Sequence, residues 1–414
     1  MKLLDRGYQL GMGLGMKLLP ASKQEVLSGA GAILKVPEIL AARGLSRPLI
    51  VTGPRVSKTD FFQRLEGALT EAGCEPCVFT EVEPDPSTDL IERVALAYRI
   101  GGCDSFIALG GGSNMDAAKA AAALLARPEK ELTQLGGLMK VRRKIPFMVA
   151  IPTTAGTGSE CTVAAVVTDS RTHRKFAIND PALCPDAAVL DPDLTEGLPP
   201  SVVAATGMDA LTHAVEAWLN RPYHKRATAG QCIAAVHDIM MYLPFVYEGS
   251  ESRARQKLLE ASYKAGQAFT VACVGNVHAI AHTLGGLYHI PHGQANAVLL
   301  PVILEDYGKT VWKPLARLTR AAGLEHLLGS AGKEQPGGGP AGTTGSDQAL
   351  AEAFIARIRQ MNREMGIPEG FEQIREEDLD QMAEWATKEA NPLYPVPVIY
   401  HRDDVKRILR KVMK

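Results

Sequence analysis

The chain has 414 residues, 46% of them hydrophobic and 22% charged, and its formal net charge at pH 7 is -1. This length exceeds one ordinary core and predicts two domains of about 200 residues each. The balanced charge excludes the basic surface of a nucleic-acid-binding protein, and no uninterrupted apolar run reaches the about 18 residues of a membrane-spanning helix. We therefore expect neither nucleic acid nor membrane as a partner.

The N-terminal arm and the cysteines bear on where the protein works. Within the first twenty residues, Gly11, Gly13, Gly15 and Lys17 interrupt the apolar run, which predicts an amphipathic arm rather than a secretory signal. The seven cysteines are scattered and odd in number, as is typical of reduced thiols. We expect a cytoplasmic protein.

Short apolar runs alternate with helical patterns in the first half of the chain. The predicted strands are residues 48–53, 76–79, 105–109 and 146–151, with helical patterns at 60–72 and 87–101 and a last strand and turn at 186–193. Strands that alternate with helices of this length predict a parallel sheet with helices on both faces.

The third predicted strand leads directly into a glycine-rich loop. Gly110, Gly111 and Gly112 precede Ser113, where an alanine-rich helix is predicted to begin. Such a loop lets the backbone approach a phosphate, and the helix start offers free N–H groups. A triple glycine alone is often only a tight turn, but the strand before it and the helix after it favour a phosphate-binding loop.

A second polar loop follows the fourth predicted strand and contains Thr153 and Thr154. Open α/β sheets bind their ligands at the carboxyl ends of strands, so two such loops in succession favour a binding site. Residues 168–178 predict a hairpin. Lys175 within it could reach a phosphate or ribose, although a lone lysine is more often solvated surface.

From about residue 201 onward, helical patterns dominate the chain, and strand signals nearly disappear. We predict an all-helical second domain. Residues 329–347 contain seven glycines among small polar residues, which predicts a flexible surface loop within this domain.

Acidic and histidine residues recur at helical spacing in the second half. Asp209 and His213 are four residues apart, as are His278 and His282, so each pair would share one helix face. His292 follows a proline and precedes a glycine, where a helix should break. One carboxylate with imidazoles suits Fe²⁺ or Zn²⁺. Spacing leaves open which three of the four histidines are ligands and which one lies beside the metal.

Together these motifs resemble the iron-containing (group III) alcohol dehydrogenase family. The matching segments are residues 110–119, 152–160, 207–218, 277–301 and 391–397, which extend over nearly the whole chain. The resemblance implies a dehydroquinate synthase-like architecture. We predict an α/β dinucleotide-binding domain at residues 1–198 and an all-helical metal-binding and substrate domain at residues 199–414.

The resemblance also implies roles for individual residues. The residues that match the family's metal ligands are Asp209, His213, His278 and His292. His282 matches a histidine near the nicotinamide that is not a ligand, and it is our candidate for proton transfer. The residues that match cofactor contacts are Gly110, Gly111, Gly112, Ser113, Asp116, Thr153, Thr154 and Lys175. Phe269 falls where the family often lines the substrate pocket.

Two positions depart from the family pattern. Members that prefer NAD commonly carry an aspartate at the end of the first strand, where this chain has Gly53 followed by Arg55 and Lys58. Without that carboxylate, a 2′-phosphate is not repelled, and Arg55 or Lys58 could pair with it, so we expect NADP(H) to be accepted together with NAD(H) or in its place. Asn114 stands where a smaller residue or proline is more usual.

The function that follows is a metal-dependent alcohol dehydrogenase or aldehyde reductase acting on short-chain primary alcohols or aldehydes. The metal would polarise the substrate oxygen while hydride passes between the substrate and NAD(P)(H). Two alternatives remain at this point, a hydroxyacid–oxoacid transhydrogenase and a dehydroquinate synthase-like lyase. The family commonly forms dimers or larger assemblies, so we expect a homo-oligomer, with the N-terminal arm as a plausible contact.

Overall fold

The structure is a computed structural model that describes residues 2–18, 23–172, 174–249, 251–328 and 346–414. The predicted flexible loop lies outside the described residues except for Ser346 and Asp347. The chain divides into two compact units. The α/β unit comprises Pro20–Gly197 and Glu251–Gly266, and the helical unit comprises Met1–Leu19, Leu198–Ser250 and Gln267–Lys414.

A six-stranded parallel sheet forms the centre of the α/β unit, with strand order β1-β9-β6-β4-β2-β3. Its strands are β1 (Glu25–Ser28), β2 (Pro48–Val51), β3 (Cys77–Phe79), β4 (Ser105–Gly110), β6 (Phe147–Pro152) and β9 (Ala187–Leu190). Strands β2, β4 and β9 are buried along their whole length, which explains their continuous apolar sequences. Strand β1, at the sheet edge, is mostly exposed and was not predicted from the sequence.

Helices cover both faces of this sheet. They are α2 (Val36–Ala41), α3 (Asp60–Glu71), α4 (Thr88–Ile100) and α5 (Gly112–Ala126). Successive residues of β4 point to opposite faces of the sheet. Phe106 therefore packs with side chains of α4 and α5, whereas Ile107 packs with side chains of α2 and α3. The predicted parallel sheet with helices on both faces is confirmed.

A smaller sheet has the order β5-β8-β7, with strands β5 (Gly137–Leu138), β7 (Ala164–Thr168) and β8 (Lys175–Asn179). Strands β7 and β8 pair in antiparallel register, so the predicted hairpin is confirmed.

All named elements of the helical unit are helices in the part of the chain that is described. They are α1 (Lys2–Leu18), α6 (Pro200–Leu219), α7 (Thr228–Tyr247), α9 (Asn276–Tyr288), α10 (His292–Tyr307), α11 (Lys309–Ala321), α12 (Asp347–Glu364), α13 (Leu379–Ala390) and α14 (Arg402–Val412). Helix α8 (Ser252–Ala272) contributes residues to both units. The predicted all-helical character of the second half is confirmed.

Helices α6, α9 and α10 determine where the histidines lie. Every residue of α6 from Gly207 to Leu219 is buried, and α6 packs against α7 and α10. Helix α9 ends at Tyr288, where His289 adopts a left-handed conformation with φ 55°, and α10 begins at His292 immediately after Pro291. The predicted break between the two histidine segments is confirmed.

Among the described helices, α7 alone has the length and apolar composition needed to cross a membrane. Its eight buried residues, from Thr228 to Val246, recur mostly at intervals of three or four. That interval is typical of a helix with one face in a protein core, and α7 packs against α6.

Candidate functional site

A carboxylate and three imidazoles meet inside the helical unit. Asp209 and His213 lie one turn apart on α6, and the distance from His213 Nε2 to Asp209 Oδ1 is 4.0 Å. His278 on α9 and His292 at the start of α10 place their Nε2 atoms 3.6 and 3.5 Å from the same oxygen. Three of the residues that the resemblance implies as ligands, Asp209, His278 and His292, thus bring their donor atoms close together, and His213 lies beside Asp209.

Burial and charge at this point favour a cation. Burial alone would raise the pKa of Asp209, but His213, His292 and His278 outweigh it and hold that pKa far below its usual range. Burial would lower the pKa of His278, whereas the neighbouring carboxylates of Asp209 and Glu216 raise it to about 9. A buried carboxylate surrounded by imidazoles thus draws positive charge to the cluster.

The donor set also fits a divalent metal by its dimensions. Metal–ligand bonds of about 2.0–2.2 Å place the donor atoms of one ion about 3–4 Å apart. The separations of 3.5–4.0 Å around Asp209 Oδ1 lie in that range. Donor atoms of Asp209, His278 and His292 all lie within 4.8 Å of one another.

His282 lies beside this cluster and has a carboxylate partner of its own. Its ring stacks on the His292 ring with centroids 5.1 Å apart and an angle of 16° between the planes. Its Nδ1 lies 2.7 Å from Glu389 Oε1, and Tyr394 Oη donates to the same oxygen at 3.0 Å. About 37% of the His282 side chain is exposed, so the ring can exchange protons with solvent.

Phe269 is also found at the cluster. Its ring stacks on the His213 ring with centroids 4.1 Å apart. An apolar ring at this place supports His213 from the side and gives the site an apolar wall.

In the α/β unit, the predicted phosphate-binding loop joins β4 to α5. The Thr153 N–H donates to Gly110 O at 3.0 Å, so the two polar loops lie side by side at the ends of β4 and β6. A Cβ at Gly112 would lie 2.9 Å from Thr157 Cγ2, and one at Gly110, where φ is 144°, would lie 2.4 Å from Asn114 Oδ1. No described side chain caps the N-terminus of α5, which leaves that end for an anion. The loop thus fits a dinucleotide phosphate.

Of three further residues at predicted cofactor positions, Asp116 and Lys175 have protein partners, and Gly53 is under a steric constraint. Asp116 accepts hydrogen bonds from Ser159 Oγ at 2.9 Å and from the Val166 N–H at 3.1 Å. Lys175 Nζ pairs with Asp85 Oδ1 at 2.6 Å. A Cβ at Gly53 would lie 2.8 Å from Val82 O, so the end of β2 requires glycine on steric grounds.

Comparison with known proteins decides the family. The sequence model described as iron-containing alcohol dehydrogenase matches residues 23–192, and the model described as Fe-containing alcohol dehydrogenase family, C-terminal, matches residues 203–413. The chain belongs to the iron-containing alcohol dehydrogenase family.

The relatives of this family member differ in the nicotinamide cofactor that they use. A NADPH-dependent butanol dehydrogenase of Clostridium saccharobutylicum is 34% identical over 348 residues, 83% of this chain and 84% of that protein. A NAD-dependent methanol dehydrogenase of Bacillus methanolicus is 33% identical over 359 residues, 86% of this chain and 89% of that protein.

The fold agrees with this membership. The solved structure of an alcohol dehydrogenase from Oenococcus oeni superposes with a TM-score of 0.86 at 32% identity, covering 95% of this chain and 99% of that one. As a member of the iron-containing alcohol dehydrogenase family, this protein is an NAD(P)-linked, metal-dependent oxidoreductase that acts on alcohols.

In this alcohol dehydrogenase, Asn296 is among the residues at the metal cluster that had no predicted role. Asn296 is fully buried on α10, one turn after His292, and its Nδ2 donates to Asp209 Oδ1 at 2.7 Å. The same nitrogen lies 3.1 Å from His278 Nε2 and 3.2 Å from His292 Nε2. Its spacing of four from His292 was visible in the sequence, but asparagine is too common on helices for that spacing to point to a site.

Lys119 was likewise missed. This lysine is fully buried on α5, and its Nζ donates to oxygen atoms of Ser159, Thr162 and Ala164. Burial lowers the pKa of Lys119, and Asp116 raises it in part. The lysine fixes the chain that follows the Thr153–Thr154 loop to the helix that begins at the glycines.

Proposed function

We propose that this family member interconverts short-chain primary alcohols and aldehydes, with Fe²⁺ or Zn²⁺ held by Asp209, His213, His278 and His292. The observation that carries the proposal is the convergence of three Nε2 atoms on Asp209 Oδ1 at 3.5–4.0 Å. The Phe269 ring beside His213 favours an uncharged substrate over an acid. This favours a dehydrogenase over the hydroxyacid–oxoacid transhydrogenase and over the dehydroquinate synthase-like lyase.

The residues of the chain divide the work as follows. When bound, the metal supplies a Lewis acid to the substrate oxygen, and the nicotinamide carries the hydride. Asp209 offsets part of the cation's charge, while the histidines hold it in place. With His282 Nδ1 donating to Glu389, the Nε2 atom of His282 is left to accept a proton and pass it to solvent.

For the cofactor, we propose that NADP(H) binds and is preferred over NAD(H). Backbone groups of Gly110, Gly111, Gly112 and Ser113 would hold the phosphates, and Thr153 and Thr154 would add contacts. Asp116 would hold the loop in place through Ser159 and Val166, without contacting the cofactor. Lys175 would leave Asp85 and bind the cofactor instead. Since Gly53 admits no side chain, no carboxylate from that position repels a 2′-phosphate, and the exposed Arg55 and Lys58 follow it.

We also propose a role for each domain, a cellular compartment and an oligomeric state. The α/β unit, which takes most of its residues from the predicted range 1–198, would bind the dinucleotide, and the helical unit, which takes most of its residues from 199–414, would bind the metal and the substrate. We further propose a cytoplasmic homodimer or larger homo-oligomer. All seven cysteines lie in described parts of the chain, and none forms a disulfide, which supports a reducing compartment.

The test is the loss of NADPH and NADH absorbance on purified protein supplied with Fe²⁺ or Zn²⁺ and a series of short aldehydes. We expect turnover that a chelator abolishes and one of the two metals restores. Asp209→Ala should remove metal and activity together, whereas His282→Ala should lower turnover with metal content near one ion per chain. Absence of turnover with every pairing, despite bound metal, would overturn the dehydrogenase in favour of the transhydrogenase or the lyase.

A further inference from the structure

Helix α6 carries a third acid–base residue on the face that bears Asp209 and His213. Glu216 follows Asp209 by seven residues and His213 by three, so all three side chains lie along one stripe of the helix. Glu216 is 4% exposed, which makes it one of the few fully enclosed carboxylates of the helical unit. A buried carboxylate requires hydrogen-bond donors.

Three N–H groups supply them, all at the N-terminus of α9. The backbone N–H of Gly275 donates to Glu216 Oε2 at 2.7 Å, and that of Val277 donates to Oε1 at 2.7 Å. The third partner is His278 Nδ1, 2.6 Å from Oε2. A Cβ at Gly275 would lie 2.6 Å from Oε1, so glycine is the residue that permits this approach.

The contact with His278 determines which ring nitrogen carries hydrogen. A carboxylate only accepts, so Nδ1 must be the N–H of the neutral ring, and the lone pair then lies on Nε2. That Nε2 is the atom 3.6 Å from Asp209 Oδ1. The geometry therefore prepares His278 to bind a cation through Nε2.

We propose that Glu216 is a positioning residue of the metal site, which fixes the tautomer and the ring orientation of His278. This inference rests on the metal site of the proposed function. Carboxylates that accept from the outer nitrogen of a ligating histidine raise its basicity, and their loss weakens metal binding about 10- to 100-fold. A purely structural role, as a cap of α9, would use only the Gly275 and Val277 bonds.

Glu216→Gln separates the two roles. Glutamine offers one acceptor and one donor group to three N–H groups, so at least one of them faces a donor. If the amide nitrogen faces His278, the ring must move its hydrogen to Nε2 and can no longer bind a metal through that atom. If the amide oxygen faces His278, the tautomer stays, but the neutral oxygen is a weaker acceptor than the carboxylate and makes the ring less basic. We expect Zn²⁺ affinity, measured by chelator competition, to fall about 10- to 100-fold.

Asn220→Ala is the matched control. Asn220 is equally buried, and its Nδ2 donates to the carbonyl oxygens of Ala272, Cys273 and Val274, in the same connection before α9. None of these hydrogen bonds involves any of the four proposed ligands. We expect this variant to lose thermal stability while its Zn²⁺ affinity stays at the wild-type value.

Wild-type affinity in Glu216→Gln, or an equal loss in Asn220→Ala, would overturn the positioning role. A wild-type protein that binds no metal would contradict the proposed function instead. In that case, or if Glu216→Gln does not fold, ¹⁵N NMR of histidine-labelled metal-free wild type decides, recorded above the pKa of His278 so that the ring is neutral. Hydrogen on Nδ1 and a bare Nε2 at His278 support the inference, and the opposite tautomer overturns it.

Discussion

At the scale of single residues, the site is built from pairs in which an acidic side chain holds a histidine. Glu389 contacts His282 as Glu216 contacts His278, but the first pair is partly open to solvent and the second is enclosed. Neither acid was predicted, because each lies far from its histidine in sequence, 62 residues in one pair and 107 in the other. Spacing within one helix reveals ligands on the same helix, whereas such partners become visible only when the helices are packed.

Glu389→Gln should lower kcat about tenfold, because His282 then contacts a neutral amide instead of the carboxylate whose charge orients and polarises its proton-carrying ring. Metal content should stay at the wild-type value. In the background of His282→Ala, the same change should have no further effect, which a double-mutant cycle of kcat would measure. Glu384→Gln, on the exposed side of the same helix, is the control. Additive losses would contradict a common role for Glu389 and His282.

Glu160 gives the protein a pH-dependent stability. Burial raises the pKa of this carboxyl to about 7. The folded state therefore holds its proton more tightly than the unfolded state, and the resulting stabilisation is full below about pH 4.5 and lost as pH rises to about 7. We expect Glu160→Gln to raise the free energy of unfolding by about 3 kcal/mol at pH 8 and to leave it nearly unchanged at pH 4.5.

Denaturant unfolding at the two pH values measures this difference. Glu71→Gln, an exposed change on α3, should alter the free energy of unfolding at neither pH. A Glu160→Gln profile parallel to that of the wild type would show that the pKa of Glu160 is ordinary.

At the scale of elements, the strands that could be predicted are those with continuous apolar sequences, and a helix break could be predicted at a proline. Strands β2, β4 and β6 are buried and end in glycine or proline-rich loops, so their sequences carry a strong signal. Strand β1 has one partly buried residue among four and carries almost none. The break between α9 and α10 was readable from Pro291, but the contact of α1 with distant residues was not.

Helix α1 is attached to the helical unit through its polar and glycine face. Arg6 donates to the carbonyls of Val396 and Pro397, and Gln9 donates to that of Tyr394. A Cβ at Gly13 would lie 2.5 Å from Pro222 O, so the helix can lie this close only with glycine there. The same helix thus supports the segment whose Tyr394 side chain contacts Glu389.

We expect Gly13→Ala to displace α1 and to speed its hydrogen exchange and its cleavage by protease. Gly11→Ala is the control, because nothing lies within 4 Å of a Cβ at that position. There the alanine should strengthen the helix, since Ala is favoured over Gly by about 1 kcal/mol. Equal protection in both variants would contradict a close contact at Gly13.

At the scale of the whole molecule, chain order alone did not reveal which segments belong together. The end of the α/β unit's main segment at Gly197 lies next to the predicted limit at 198, yet the N-terminal helix belongs to the helical unit, and Glu251–Gly266 belongs to the α/β unit. Such membership depends on long-range packing, which has no local signal. The residues of the metal cluster all belong to one unit, and those of the phosphate-binding loop to the other.

We therefore expect a substitution in the phosphate-binding loop to weaken cofactor binding without affecting metal binding. Gly112→Val places a side chain against Thr157, so we expect NADPH affinity, measured by nucleotide fluorescence, to fall at least about tenfold. Metal content should not change. Gly67→Ala, where a Cβ meets open space, is the control. Loss of metal in Gly112→Val would show that the two sites are not independent.

The four proposed ligands differ in exposure, and this difference affects the rate at which a bound metal would exchange. The side chains of Asp209, His213 and His278 are 3, 6 and 2% exposed, whereas that of His292 is 40% exposed. Exchange with ions in solution must begin at His292, because only this ligand can turn away without opening the core. Substitutions of His292 should then speed metal release more than substitutions of the enclosed ligands. The ion found in the purified enzyme would depend on the metal ions present during purification.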